Sequence, residues 1–482
     1  MHRRAACYYV RVHARRWLQA RLMVAFAQRP EWSSSPRFVI ATIAAVVSLS
    51  NLWRLPYLLS DYGAGAFLLV YVAALLSMGL PLFSGQLLMA RGTRADVPGV
   101  IAAWTRNTPH SRVWIWSGYL AVLGAAMLLA AYSVVAAWSL AYSLRGVTGM
   151  LDGSSVAAAS AQFVTFARDS ERGFGWLLLF FALIIATAAR GLRRGVEPVM
   201  RTLAFCMLMA LTTLVVSALM DARAGPAFHA VFAADFGALG WRGVFEALYQ
   251  AFFTLSLGTG VIVCFGSYLP SDTPVVRLSL LILGIDLAVS MACAFMLAVF
   301  VGASEAELDV GIQSLFETLP VALAGNWQAP IVFVLVGLVS LSTAIGLFEP
   351  VVQLVQQRSG YTRLRSTLYA GVGLALLGMA ALLSFGVLHN VTLFGYNLFG
   401  WLMLATAQLI GPLTGLLLCI LMGRVLARKR LVNAWQHAGE YSRATGFALW
   451  HALLRYPTRI VLVLVLAYAL GALRVIEMVW FP

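Results

Sequence analysis

SLSNLWRLPY, Ser48 to Tyr57, interrupts a segment that is otherwise apolar on both sides, and how it is read decides the fold. Two serines, an asparagine, an arginine and a proline find no hydrogen-bond partners in lipid. Non-helical backbone at bilayer depth is tolerated only where protein or a watery cavity satisfies the freed groups. The stretch therefore marks either close helix packing through small residues or a site built at a break.

The surroundings are those of a membrane protein. Of 482 residues 61% are hydrophobic and only 11% charged, and mean hydropathy is +0.85, far from the composition of soluble domains. Apolar runs of about 20 residues, the length of a bilayer-crossing helix, begin near Phe38, Ala66, Val113, Phe174, Pro198, Val244, Leu278, Ile331, Ser366, Phe394 and Ile460, which predicts eleven spans.

The net charge of +15 does not point to nucleic acid, because the arginines fall between spans on alternate sides, as the positive-inside rule requires. Arg91, Arg94, Arg106 and Arg112, then Arg190, Arg193, Arg194 and Arg201, then Arg358, Arg363 and Arg365, then Arg424, Arg428, Lys429 and Arg430 all face the cytoplasm if the N-terminus does. The loop with Glu305, Glu307, Asp309 and Glu317 is then external, and so is the C-terminus. Cys7, Cys206, Cys264, Cys293 and Cys419 have no paired spacing and suggest neither a disulfide framework nor a zinc site. The Arg-rich, acid-free residues before Met23 read as an organelle-like leader, a surface helix or upstream translation, the last two being favoured.

A second interrupted run, FFTLSLGTGVIVCFG from Phe252 to Gly266, lies in the sixth span. The first and sixth spans are equivalent if ten spans form two repeats of five, and an odd-numbered repeat inverts the second copy. Paired interruptions in corresponding places point to a transporter's central site, where unwound carbonyls hold a cation and half-helix N–H groups hold a carboxylate. The expected organisation is an N-terminal segment (1–36), two five-helix repeats (37–222 and 240–424), a cytoplasmic linker (425–459) and a last transmembrane helix (460–482).

NLWRLP at Asn51 to Pro56, YGAGAF at Tyr62 to Phe67, GLPLF at Gly79 to Phe83, RGLRRGVE at Arg190 to Glu197 and QAFFTLSLGTG at Gln250 to Gly260 together resemble the neurotransmitter:sodium symporters. Bacterial amino-acid carriers of the leucine-transporter type are the nearest in pattern. The resemblance implies an all-α polytopic protein with a leucine-transporter-like inverted repeat, broken helices one and six, and residence in the plasma membrane, here a bacterial inner membrane. It implies two sodium sites. The first would use the Val46 carbonyl, Asn51, Thr254, position 286 and the substrate carboxylate. The second would use carbonyls of Ala44, Val47 and Val339 with the hydroxyls of Ser342 and Thr343. Both are oxygen sets suited to a hard cation. Taken singly, Ser342 and Thr343 read as bonding back to their own helix.

For substrate, the resemblance implies that Tyr132 and the N–H groups of Leu49 and Ser50 hold a carboxylate. The amino group would meet carbonyls of Val46, Phe253 and Thr254 and the Ser256 hydroxyl. Leu128, Phe253, Thr259, Ala344 and Leu347 would meet the side chain. Ser48 stands where amine carriers of the family have aspartate, which favours a substrate with its own carboxylate. Apart from the resemblance, Tyr132 reads as an interior tyrosine.

The departures are informative. Asp286, in LLILGIDLAVSMACAF, replaces the family's usual asparagine in a span with no cation. A carboxylate at bilayer depth costs roughly 2.5 to 3.5 kcal/mol and calls for a partner or a proton. Tyr71, Gln250 and Ser290 match the positions that hold chloride in chloride-dependent members, while chloride-independent members place an acid nearby; a charge on Asp286 would crowd a bound chloride, so transport independent of chloride is expected, with proton movement through Asp286 as the alternative. Arg54 matches the outer-gate arginine, but its usual acid is Gly395; Arg29 and Trp32 match the inner gate, but its acid is Gln357. Asp61, about two turns beyond Arg54, and Glu349 are the candidate replacements, the latter for Arg29. Otherwise Arg54 snorkels to the interface. Ser48 and Ser50 replace glycines and either narrow the pocket or donate to the ligand. The functional expectation is a sodium-coupled symporter of a small or medium neutral amino acid. An acidic substrate on Arg54 and a non-transporting sensor are the alternatives. No nucleophile, base and orienting-group constellation suggests an enzyme.

Overall fold

The computed structural model describes residues 30–151, 155–302, 313–392, 395–436 and 444–471. Among the described residues nine helices are long and apolar enough to cross a membrane, and a tenth span is a pair, Ser35–Val46 and Ser50–Asp61, bent by 61° at its break. The expected sixth span is split between Phe236–Phe253 and Val261–Ser267. The described residues are otherwise helices and turns, with one isolated bridge between Ala64 and Ala234.

Most of the helices begin earlier than their apolar runs; the tenth begins later, at Leu398 rather than near Phe394. Pro36 occupies the first turn of the first span, where a missing N–H costs nothing. Asp235 caps the N–H groups of Gly237 and Ala238 ahead of the sixth, and Asn397 caps Gly400 ahead of the tenth. The last apolar helix runs over Gly446–Ala469 and so starts upstream of Ile460. RGLRRGVE forms a π-helical stretch, Leu192–Val196, that leads straight into the fifth span after Gly191 at φ +78°.

The third span, Ser111–Thr148, and the eighth, Gln328–Ser359, are long, mostly buried and packed along one another. The first span lies against the fifth, seventh and eighth, and the sixth lies against the second and eighth. Small residues permit the closest approach: a Cβ on Gly346 in the eighth span would sit 2.8 Å from Ala45 Cβ in the first. Both breaks are thereby held at the middle of the bundle.

Candidate functional site

At the first break, side chains replace the helical ladder. The Ser48 N–H donates to Asn51 Oδ1 at 2.8 Å, and the Ser50 N–H donates to Ser48 Oγ at 3.2 Å. The chain resumes as a π-helical turn, Ser50–Arg54, before Leu55–Asp61. At the second break the backbone curls instead: Ser256, Gly258 and Gly260 take φ of +50°, +81° and +75°. A Cβ on Gly258 would meet the Gly411 carbonyl of the tenth span at 2.2 Å, so only glycine fits.

The two breaks meet at Asn51. Its amide nitrogen donates to Asp286 Oδ1 at 2.9 Å, Ser290 Oγ at 2.8 Å and Thr254 Oγ1 at 3.1 Å, and the Thr254 hydroxyl donates to Asp286 Oδ2 at 3.1 Å. All four residues are buried. An amide with two protons faces three oxygens, one of them a carboxylate, so the cluster is rich in oxygen and short of positive charge. Among the described residues no cationic side chain pairs with Asp286. Tyr71 and Gln250 are fully buried; among the described residues the Tyr71 hydroxyl lacks a hydrogen-bond partner, and it faces Thr254, Ser290 and Asp286.

A second oxygen group joins the first and eighth spans. The Thr343 hydroxyl donates to the Val47 carbonyl at 3.1 Å, and Ser342 donates back to Val339 at 3.0 Å. An apolar cavity of about 210 Å³, lined by Ala44, Val47 and Val339 among others, adjoins it. The sequence reading of Ser342 as a back-bonded hydroxyl therefore holds as geometry, while Thr343 reaches across.

Tyr132 is buried on the third span, one turn beyond Leu128, and among the described residues its hydroxyl has no hydrogen-bond partner while facing the Leu49 N–H, Thr343 and Ser340. Ala344 and Leu347 are buried on the eighth span; Phe253, Ser256 and Thr259 are half-buried at the second break. The Thr259 hydroxyl donates to the Ser256 carbonyl at 2.7 Å, so it is consumed by its own turn. The Ser50 hydroxyl is likewise engaged, with Gln250, and Ser48 with Asn51.

The pairings expected at the two ends need correction. Arg54 does not take Asp61, which is exposed and faces Tyr62. It donates to Glu246 at 2.5 Å and Gln250 at 2.5 Å and lies over the Tyr249 ring. That engagement removes the reason for an acidic substrate. Gly395 is exposed at φ +80°. At the other end Arg29 lies outside the described residues, and the Glu349 carboxylate is held by Arg363 at 2.6 and 2.9 Å and by the Tyr268 hydroxyl at 2.8 Å. Trp32 is buried, donates to the Phe265 carbonyl at 2.9 Å and packs edge-on against Phe38, Phe265 and Tyr268. Gln357 accepts the Asp96 N–H at 2.8 Å, and Arg358 pairs with Asp96 at 2.9 Å.

Residues 29–164 and 174–470 match the model of the Sodium:neurotransmitter symporter family. The chain is similar to the uncharacterized sodium-dependent transporter YhdH of Bacillus subtilis, 26% identical over 92% of this chain and 99% of the relative. It is 25% identical to the sodium-dependent dopamine transporter of Bos taurus over 67% of this chain and 53% of the relative. Among solved structures, MhsT in complex with L-phenylalanine is similar at a TM-score of 0.80 and 27% identity, over 92% of this chain and 100% of that one. The chain belongs to the sodium:neurotransmitter symporter family, a family of sodium-dependent multi-pass membrane transporters rather than enzymes.

Proposed function

We propose that this protein is a sodium-coupled symporter of a neutral amino acid, independent of chloride, working by alternating access from a bacterial inner membrane with its N-terminus inside. The observation that carries the reading is the buried oxygen cluster of Asn51, Thr254 and Asp286 that ties the two breaks together. One sodium ion would join this cluster with the Val46 carbonyl and the substrate carboxylate. A second would be held by Ala44, Val47, Val339, Ser342 and Thr343. The Tyr132 hydroxyl, buried without a partner among the described residues, fits a carboxylate acceptor. The apolar neighbours Leu128, Ala344 and Leu347, and Thr259 with its hydroxyl turned into its own backbone, favour an uncharged side chain. MhsT, similar over nearly the whole chain, was solved with L-phenylalanine, which supports an amino acid as cargo.

A fixed negative charge on Asp286 substitutes for a bound anion. Two anions about 5 Å apart at an effective dielectric of 20 repel by about 3 kcal/mol. Uptake in vesicles is therefore expected to be unchanged when chloride is replaced by gluconate, and strict chloride dependence would refute that part. Thermal unfolding across the amino acids, with and without sodium, tests the whole reading. A ligand at a hundred times its dissociation constant adds about 2.7 kcal/mol, and the shift is expected only when sodium is present. Binding without concentrative uptake would instead mean a sensor. The burial of Asp286 with no cationic partner among the described residues favours one second reading, a proton carried on the return step. Internal acidification would then accelerate exchange in the wild type and not in Asp286→Asn.

A further inference from the structure

Arg54 is held from two adjacent turns of the helix that leads into the second break. Glu246 and Gln250 accept from it at 2.5 Å each, and Tyr249 offers its ring face at 4.8 Å. The other Glu246 oxygen accepts the hydroxyl of Tyr468 at 2.8 Å, and the Tyr468 ring stacks on Phe245 at 5.4 Å with planes 8° apart. Gln250 is bonded in turn to the Ser50 hydroxyl. An unbroken run of polar contacts thus leads from the last helix through Glu246, Arg54 and Gln250 to the break in the first span. Above it lies a cavity of about 740 Å³ whose wall includes Arg54, Glu246 and Tyr468, with Tyr396, Leu404 and Gln408 contributed by the tenth span and its approach. The tenth span offers Arg54 no acid at Gly395.

We propose that Tyr468, on a helix outside both five-span repeats, is a positioning residue for closure over Arg54, so that the last helix sets the balance between an open and a closed cavity. This rests on the alternating-access reading above. The physical need is plain: a partly exposed glutamate and arginine gain little from one another when both side chains are free to wander. The Tyr468 hydroxyl fixes one carboxylate oxygen and leaves the other aimed at Arg54. Its bond is to a charged acceptor, the stronger kind.

The test is accessibility of the cavity wall, read as the labelling rate of Gln408→Cys by a membrane-impermeant maleimide in sodium buffer without amino acid. Tyr468→Phe keeps the ring stack and removes only the hydroxyl. Labelling is expected to rise on the order of tenfold, and Glu246→Gln should raise it at least as much. Because Tyr468 acts through Glu246, the double variant should label no faster than Glu246→Gln alone. Unchanged labelling in Tyr468→Phe, or single effects that multiply in the double variant, would overturn the proposal. So would Phe245→Ala opening the cavity as far as Tyr468→Phe does, since helix packing and not the hydroxyl would then be responsible. Sodium-dependent thermal stabilisation by L-phenylalanine, L-leucine and L-alanine in the same variants separates the two failures. If it is retained while labelling stays flat, only the role of Tyr468 is lost. If no amino acid stabilises the wild type, the transport reading itself fails.

Discussion

The first span breaks between Val46 and Ser50, and the sixth between Phe253 and Val261. In the first, side chains do the work: Ser48 and Asn51 take up the freed N–H groups, and the non-glycine residues keep negative φ. In the sixth, backbone shape does it, with three positive φ values and a glycine pressed against the tenth span. The first break should therefore be sensitive to functional groups and tolerant of volume. The second should be sensitive to volume at its glycines and indifferent to the Thr259 hydroxyl, which bonds within its own turn.

Substitutions can break that contrast. Gly258→Ala is expected to be the most damaging: a left-handed φ and a 2.2 Å overlap with the Gly411 carbonyl together cost at least about 3 kcal/mol. Uptake should vanish and the thermal midpoint of the purified protein should fall; a stable, active Gly258→Ala would mean that the second break is not sterically fixed. Asn51→Ala strips the amide donor from a buried carboxylate, about 3 kcal/mol. Sodium for half-maximal uptake should rise roughly a hundredfold, with folding retained. Ser50→Ala removes the link to Gln250, about 1 kcal/mol, and should raise the amino-acid KM about fivefold. Thr259→Val is the mildest. Its hydroxyl bonds inside its own turn, and a change in KM above about twofold would show that the hydroxyl serves the ligand instead.

Much of this was legible in the sequence, for a physical reason. A polar residue in an apolar run is conspicuous because lipid cannot satisfy it, so Asn51, Thr254 and Asp286 stand out and the structure joins them. The end pairings were not legible in the same way. Helical periodicity relates Arg54 only to residues on its own helix, which led to Asp61, whereas Glu246 lies 192 positions away. The available signal was the spacing of Glu246 and Gln250, four apart and hence on one face of the sixth span. Arg363, just past the Gly360 turn from Glu349, could have been found by asking what a buried glutamate beside Pro350 would accept. The interior π-helical turns, such as Leu404–Ile410, left no periodic trace.

The two ion pairs at opposite ends differ in one further respect. Glu349 and Arg363 are 0% and 17% exposed, Arg54 and Glu246 26% and 18%. Dissolved ions screen charges over about 8 Å at physiological strength and about 3 Å at 1 M, but reach buried pairs poorly. Concentrated salt should then slacken the Arg54 end while the Glu349 end keeps its grip. On the proposed alternating-access cycle, the surrounding electrolyte would then bias which mouth of the protein stands open, separately from any sodium that the protein binds.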